Sequence, residues 1–143
     1  IFIQESNFYF NLINELETNA NSDWHLLIES KDVEFCGISA QMPNVKFRDN
    51  LLIAMYENIN YENLIQLPED FEESALLFDN TSLEFSNENE IISYSGYYDN
   101  CETHDVNLNT SVFIIKELNE NIYFKLQFIE YDNWTICFNY DML

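Results

Sequence analysis

The final fifty residues alternate hydrophobic and polar positions with a period of two. Apolar side chains at every second position fall on one face: Phe124, Leu126 and Phe128, then Ile136, Phe138 and Tyr140. A period of two over adjoining segments is typical of antiparallel strands. The pattern predicts strands at Ser111–Glu117, Ile122–Tyr131 and Trp134–Tyr140, joined by turns at Leu118–Asn121 and Asp132–Asn133. This region is therefore a predicted C-terminal β-meander.

Stretches rich in aromatic and β-branched residues predict short strands in the rest of the chain. They are Asn7–Ile13, Trp24–Ser30, Asp32–Ser39, Phe47–Tyr56, Ala75–Asp79, Ser82–Phe85 and Glu90–Tyr94. A loop is expected around Pro43. About nine or ten closely spaced strands predict an all-β, antiparallel sandwich or barrel. At 143 residues the chain is too short for two ordinary cores, so we expect a single domain over residues 1–143.

Two of these predicted strands have a helical alternative. A face through Phe8, Leu12 and Leu16 has helical spacing, and so does the apolar part of Phe47–Tyr56. The aromatic, β-prone content favours a strand at Asn7–Ile13. A strand is also expected at Phe47–Tyr56. The segment Glu15–Asp23 is expected to be a polar connection.

The chain is strongly acidic. It carries 26 Asp and Glu against five Lys and Arg, a formal net charge of −21. Such a field repels nucleic-acid phosphates and anionic lipid head groups, so neither is expected as a direct ligand. It favours a basic protein partner or metal cations, or it serves solubility alone.

Three cysteines are widely spaced: Cys36, Cys101 and Cys137. No CxxC pair occurs, and an odd number leaves at least one thiol unpaired. Cys36 and Cys137 lie in strand patterns, so we expect them to be small buried side chains. One disulfide could form, and its pairing stays open.

Seven motifs follow one another in a particular order. They are the aromatic Phe8–Leu12, the Trp-containing Ser22–Leu27, Tyr61–Pro68, the Gly-aromatic Gly96–Tyr98, the His-containing Thr103–Val106, and the strand motifs Val112–Lys116 and Tyr123–Gln127. Their order and spacing resemble the HmuY family of Bacteroidota outer-membrane lipoproteins, which are haem-binding proteins with an all-β fold. The resemblance covers most of the chain and is closest from about Tyr94 onward.

The resemblance implies a non-enzymatic binding domain at the cell surface. It would be held at the outer membrane by a lipid anchor upstream of Ile1, as a ligand-capturing or accessory subunit of a membrane complex. Haem is the cofactor that the resemblance implies, and the family holds its iron through two His, or in some members two Met, on separate loops. The first loop corresponds here to Thr81–Asn89, which contains no His, Met or Cys. Near the second loop, Cys101 and His104 are the candidate ligands.

Haem binding meets an electrostatic objection. The two propionates of haem are anionic, and only five Lys and Arg side chains in the chain could pair with them. A protein of net charge −21 repels two further negative charges unless those few cations converge. The fold of the family can persist without its haem site, because function lies in loops on the fold.

Other candidate chemistry is sparse. The acidic runs around Glu69 and Glu88 have no partner geometry for catalysis and lack the spacing of a calcium loop, so neither an enzyme nor a metal site is expected. His25 follows Trp24 and would point the opposite way in a strand, so we expect it at the surface.

Five tyrosines in or beside the predicted meander are interface candidates: Tyr94, Tyr97, Tyr98, Tyr123 and Tyr131. Tyr offers a large amphipathic contact area at low entropic cost, which protein interfaces favour. Packing in the core is the alternative for some of them.

A second class of function fits the same charge. A cytoplasmic acidic inhibitor, such as an immunity protein or a nucleic-acid mimic, would use its carboxylates to block a basic partner. The N-terminus of the full gene separates the two hypotheses: a signal peptide ending in Cys supports the lipoprotein, and an initiator Met directly before Ile1 supports the inhibitor.

Overall fold

The chain folds into antiparallel β-strands. The computed structural model describes residues 7–35, 37–69, 71, 78–79, 91–95 and 105–143. Strands in these residues are β1 (Phe8–Asn11), β2 (Leu16–Thr18), β3 (Leu26–Phe35), β4 (Ile38–Phe47), β5 (Leu51–Tyr56), β6 (Phe78–Asp79), β7 (Ile92–Ser95), β8 (Asp105–Leu108), β9 (Val112–Glu117), β10 (Ile122–Asp132) and β11 (Thr135–Met142). A 3-10 turn at Tyr61–Asn63 follows β5. The all-β prediction is confirmed.

Two large antiparallel sheets pack as a sandwich. One has the strand order β2-β1-β3-β4 and the other the order β11-β10-β9-β5-β6, while β7 and β8 form a two-stranded sheet. In the C-terminal part, β9 pairs with β10 and β10 with β11, each pair antiparallel. The meander predicted from the alternation is therefore present.

The main core lies between the two large sheets. Its buried members include Leu26, Ile28, Val45 and Phe47 from the first sheet and Leu51, Ile53, Phe113, Ile115, Phe124, Leu126 and Phe128 from the second. Between the two sheets, the ring of Phe10 in β1 contacts the rings of Phe138 and Tyr140 in β11, with centroids 5.9 and 5.1 Å away. Each fully buried side chain of this size stabilises the fold by about 1.5–3 kcal/mol.

A β-bulge in β10 changes which side chains face the core. The pairing register skips Ile129 between Phe128 and Glu130. Before the bulge the even-numbered residues face the core, whereas after it Tyr131 packs against the same core cluster. Ile129 itself is 45% exposed. One extra residue shifts a period-two pattern by one position, which strict alternation does not anticipate.

A second apolar cluster covers the outer face of the five-stranded sheet. Tyr61, from the segment after β5, packs there with Val112 and Ile114 of β9. Asn60 caps the 3-10 turn of this segment, because its Oδ1 accepts a hydrogen bond from the backbone N–H of Glu62 at 2.9 Å. Strand β9 is consequently buried on both faces, which explains its continuous apolar run.

The N-terminal boundaries differ from the prediction. Residues Leu16–Thr18, expected in a polar connection, form β2 and pair with β1, so this hairpin replaces the helical alternative. The predicted strands Trp24–Ser30 and Asp32–Ser39 are wrong as separate elements, because β3 runs unbroken between them. The helical alternative for Phe47–Tyr56 is also wrong, because Leu51–Tyr56 is a strand.

Pro43 lies in a strand, and its predicted loop is wrong. It is buried in β4 opposite Ser30 of β3. Strand β4 is the outermost strand of its sheet. A proline is tolerated in such a strand, because no neighbouring strand on its outer side needs the backbone N–H that proline lacks.

Smaller corrections concern the later segments. The predicted strand Ser82–Phe85 lies outside the described residues, while parts of its two neighbours are confirmed at Phe78–Asp79 and Ile92–Ser95. The closing turn of the meander is one residue later than predicted, since Asn133 and Trp134 have φ of 43° and 66°. Two positive φ values in a two-residue turn match the twist of a hairpin.

Cys137 is exposed, which contradicts the prediction that it is buried. Its neighbours Ile136 and Phe138 take the core side of β11, so the thiol points outward. Cys36 and Cys101 lie outside the described residues.

Candidate functional site

A polar cleft of about 510 Å³ opens at one end of the sandwich. Strands β1, β4 and β9 end there, and β3, β5 and β10 begin there. It is lined by Asn11, Ile13, Asn14, Asp23, His25, Arg48, Asp49, Asn50, Glu117, Asn119, Glu120 and Ile122. The fold thus gathers polar residues from four separate stretches of the sequence into one site.

His25 is buried at the inner side of this cleft, with 4% of its surface exposed. Its Nδ1 accepts a hydrogen bond from the backbone N–H of Leu12 at 3.0 Å. In the neutral ring the proton therefore sits on Nε2. Burial lowers the pKa of His25 below its ordinary value of 6.5, and the nearby Glu117 carboxylate opposes part of this shift. The surface position expected for His25 is wrong.

The backbone of His25 explains its burial. Its N–H donates to the carbonyl of Phe10 at 2.8 Å, and its own carbonyl accepts from the N–H of Arg48 at 3.0 Å. These bonds hold the residue just before β3 begins, between β1 and the end of β4. Nε2 has no hydrogen-bond partner among the described residues, so its N–H is left for the cleft.

Glu117 closes β9 and is 1% exposed. One carboxylate oxygen, Oε1, accepts a hydrogen bond from Asn50 Nδ2 at 2.5 Å, and Oε2 accepts from the backbone N–H of Glu120 at 2.6 Å. Within the described part of the chain, no Lys or Arg forms an ion pair with it. A buried carboxylate without a cation is uncommon, because burial of an unpaired charge is costly.

Asn11 fixes the rim of the cleft next to His25. Its Oδ1 accepts hydrogen bonds from the backbone N–H groups of Ile13 and Asn14, both at 2.9 Å. Its Nδ2 donates to the carbonyl of Asp23, also at 2.9 Å. Asn favours this kind of turn because its side chain can bond to the backbone that follows it. The turn after β1 is thereby tied to the segment that precedes β3.

Arg48 lines the cleft beside Asp23. Its Nη1 lies 3.3 Å from Asp23 Oδ1, and its guanidinium stacks 5.7 Å from the ring centre of Trp24. Trp24 in turn contacts the edge of Tyr9, with ring centres 5.5 Å apart. The aromatic support orients the guanidinium along the rim.

The charge of the cleft is negative. Among the described residues that line it, four carry carboxylates, Asp23, Asp49, Glu117 and Glu120, and Arg48 carries a guanidinium. His25 adds no charge above its lowered pKa. The cleft therefore favours a cationic group over an anionic one.

The candidate iron ligands Cys101 and His104 lie outside the described residues, as do Tyr97 and Tyr98. Tyr94 lies in β7, where its Cα is opposite that of Val106. These residues stay predictions.

The two tyrosines of β10 do not share a surface. Tyr123 packs on the outer cluster, where its ring contacts Phe71 at 5.7 Å, whereas Tyr131 packs against the main core. The bulge at Ile129 lies between them and separates their faces. They cannot belong to one continuous patch, although each is partly exposed.

The chain matches no model of a known protein family, and no curated protein matches it. Among the residues that the structure describes, no three His, Cys, Asp or Glu side chains come together as a metal-binding group. The same residues contain no helix long and apolar enough to cross a membrane.

We expect the chain to lose stability relative to a His25→Asn variant as the pH falls below about 6.5. The pKa of His25 is lower in the folded chain than in the unfolded one, so the unfolded chain takes up the proton first and acid favours unfolding. Asn offers an oxygen to the N–H of Leu12 but does not titrate.

Urea unfolding of both proteins, from about pH 8 to about pH 5, measures this effect. The 26 acidic residues are common to both proteins, so their own pH dependence cancels in the difference. Parallel stability curves across this range would contradict the prediction.

Proposed function

We propose that this chain is a non-enzymatic binding domain, a ligand-capturing or accessory subunit of an outer-membrane complex. In this proposal it is held on the cell surface by a lipid anchor upstream of Ile1, like the HmuY-type lipoproteins that its motifs resemble. The observation that carries the binding role is the preorganised cleft of His25 and Glu117 at the end of the sandwich.

The geometry of the cleft supports binding rather than catalysis. A histidine that acts as a general base needs a nitrogen free to accept a proton. Nδ1 of His25 is engaged by the backbone of Leu12, and Nε2 carries the proton in the neutral ring. Glu117 is likewise held through both of its oxygens. These groups are arranged to hold a ligand in place.

Surface exposure tests the proposed location. The full gene would be expressed in a Bacteroidota host, and intact cells would be treated with a protease that cannot enter them. We expect the protein in the membrane fraction, labelled by a fatty acid, and degraded on intact cells. A protein that stays in the soluble fraction and is protected from the protease would contradict the proposal.

Haem does not fit the described cleft. Its propionates would meet the four carboxylates and one guanidinium of the described lining. Nδ1 of His25 already accepts from Leu12, and Nε2 carries the proton in the neutral ring. The alternative place for haem is the loop that contains Cys101 and His104. Titration of the purified protein with haemin tests that place: a saturable Soret shift that is lost in Cys101→Ser and His104→Ala would assign haem to it. We expect no saturable shift.

The acidic inhibitor is the second candidate function, and the charge of the cleft favours it. An excess of carboxylates around a buried one would suit a partner with a basic active site. In that case the protein would be cytoplasmic. The protease experiment on intact cells separates this candidate from the surface subunit, because only the surface subunit is degraded.

A further inference from the structure

We propose that the cleft is an anchor pocket for one Lys or Arg side chain of a basic partner protein, with Glu117 as its counter-charge. This inference rests on the proposed function, because it names the chemistry by which a binding domain would hold its partner. It applies equally to a surface subunit and to an inhibitor.

The buried carboxylate of Glu117 has no cationic partner in the described part of the chain. Its two hydrogen bonds orient both oxygens, but an Asn amide and a backbone N–H do not neutralise its charge. An ammonium or guanidinium would complete the site through charge-assisted hydrogen bonds, which are among the strongest in proteins. Asn50, which already holds Oε1, also has a buried Oδ1 without a partner in the described residues, and this oxygen is a further acceptor next to the carboxylate.

The cleft also suits the shape of a Lys or Arg side chain. Both side chains combine an apolar stem with a charged head, and they bury the stem along apolar surface. Ile13 and Ile122 line the cleft and provide such a surface. The volume of about 510 Å³ is much larger than a single ammonium group needs, so it accommodates a stem as well as a head.

His25 points to a peptide as the carrier of the cation. Its Nε2–H is a donor in the same cleft and has no partner in the described part of the chain. A free polyamine has no acceptor to offer this donor, whereas the backbone carbonyl of a peptide does. One buried acceptor for the cation and one buried donor for the backbone together match a side chain presented by a protein.

The rim and the whole chain add attraction at longer range. Asp23, Asp49 and Glu120 are exposed around the mouth of the cleft. The net charge of −21 steers a basic partner toward this surface before contact. A buried anchor inside a polar rim is the usual arrangement of a binding hot spot.

Calorimetry and NMR on the full 143-residue chain test the proposal with the peptide acetyl-Gly-Arg-Gly-amide. The matched peptide with citrulline in place of Arg has nearly the same shape without the charge. We expect saturable binding of the Arg peptide at one site, at least about tenfold weaker binding of the citrulline peptide, and a shift of the His25 ring nitrogen signals.

Three variants locate the site. Glu117→Gln should weaken the Arg peptide about tenfold or more, and Asp49→Asn, at the exposed rim, about two- to fivefold. Glu57→Gln removes the same charge from an exposed position outside the cleft and should leave the affinity within about twofold. If Glu117→Gln does not fold, the affinity of Asp49→Asn and the shift of the His25 signals test the site instead. Asp49 is exposed, so its replacement should leave the fold intact.

Three results would overturn the proposal: an equal loss in Glu57→Gln and in the cleft variants, equal binding of the citrulline peptide, or equally tight binding of agmatine. The first would mean diffuse attraction to charge, and the last a small-amine site. If the Arg peptide does not bind but the protein is degraded by protease on intact cells, only the anchor pocket is refuted. Protease-protected protein with intact peptide binding refutes the surface location alone.

Discussion

Replacing Lys125 by Glu is expected to destabilise the protein by about 3–5 kcal/mol, a large share of the total stability of a domain this size. The Lys125 side chain is 7% exposed. Its Nζ donates to the backbone carbonyl of Tyr61 at 2.8 Å and lies 3.7 Å from Asp141 Oδ2. A carboxylate in this place would face two acceptors and offer neither of them a hydrogen. Urea unfolding at neutral pH measures the loss.

Lys116→Glu is the matched control. It changes the net charge by the same amount, but Lys116 is only partly buried and its ammonium lies 5.5 Å from the ring centre of Tyr123. We expect it to cost about 1 kcal/mol or less, as for a partly exposed cation. Nearly equal losses in the two variants would show that net charge, rather than the burial of Lys125, determines the effect.

Lys125 joins two parts of the fold. Its ammonium lies 4.1 Å from the ring centre of Tyr61, and the Tyr61 hydroxyl donates to Asp141 at 2.9 Å. Burial, and next the hydrogen bond to Asp141, raise the pKa of Tyr61 above its ordinary value, so its hydroxyl stays a donor. Loss of Lys125 should release the segment after β5 from the sheet. Amide hydrogen exchange in this segment should speed up before exchange in β9 does.

The meander could be predicted from the sequence because its signal is local. Alternation within β10 and β11 fixes which side chains meet across the pair, and the polar turn at Leu118–Asn121 separates β9 from β10. Three features lay beyond that signal. The bulge at Ile129 shifts the alternation, Pro43 is accepted because β4 is an outer strand, and β2 is too short and too polar to show a pattern.

The cleft could not be predicted, because it depends on which strand ends meet. His25 and Glu117 are 92 positions apart in the sequence and come together only when both sheets have formed. The sequence does contain a weak signal. Strands β1 and β9 end in a polar residue, and a polar residue directly precedes β3. Such residues are uncommon at buried positions. Asn11, His25 and Glu117 are all buried. Polar residues directly at predicted strand ends are therefore worth grouping as candidates for one site.

The bulge gives Phe128 a special position in the core. Phe128 is the last residue of β10 before the shift in register, and it is fully buried. Its ring contacts Phe113 of β9 and Phe138 of β11, with centroids 6.2 and 6.1 Å away. It therefore links three neighbouring strands on the inner face of the meander. Aromatic pairs at these distances add stability beyond the area that they bury.

Replacing Phe128 by Ala should cost about 3–5 kcal/mol, because it removes the ring contacts and leaves a cavity that neighbouring strands cannot close. Ile129→Ala is the control: its side chain is the next one along the strand but is 45% exposed, so we expect a loss of about 1 kcal/mol or less. Urea unfolding of both variants, followed by tryptophan fluorescence, gives the two losses. Comparable losses would mean that Ile129 is packed against the fold and that the bulge does not turn the strand at this residue.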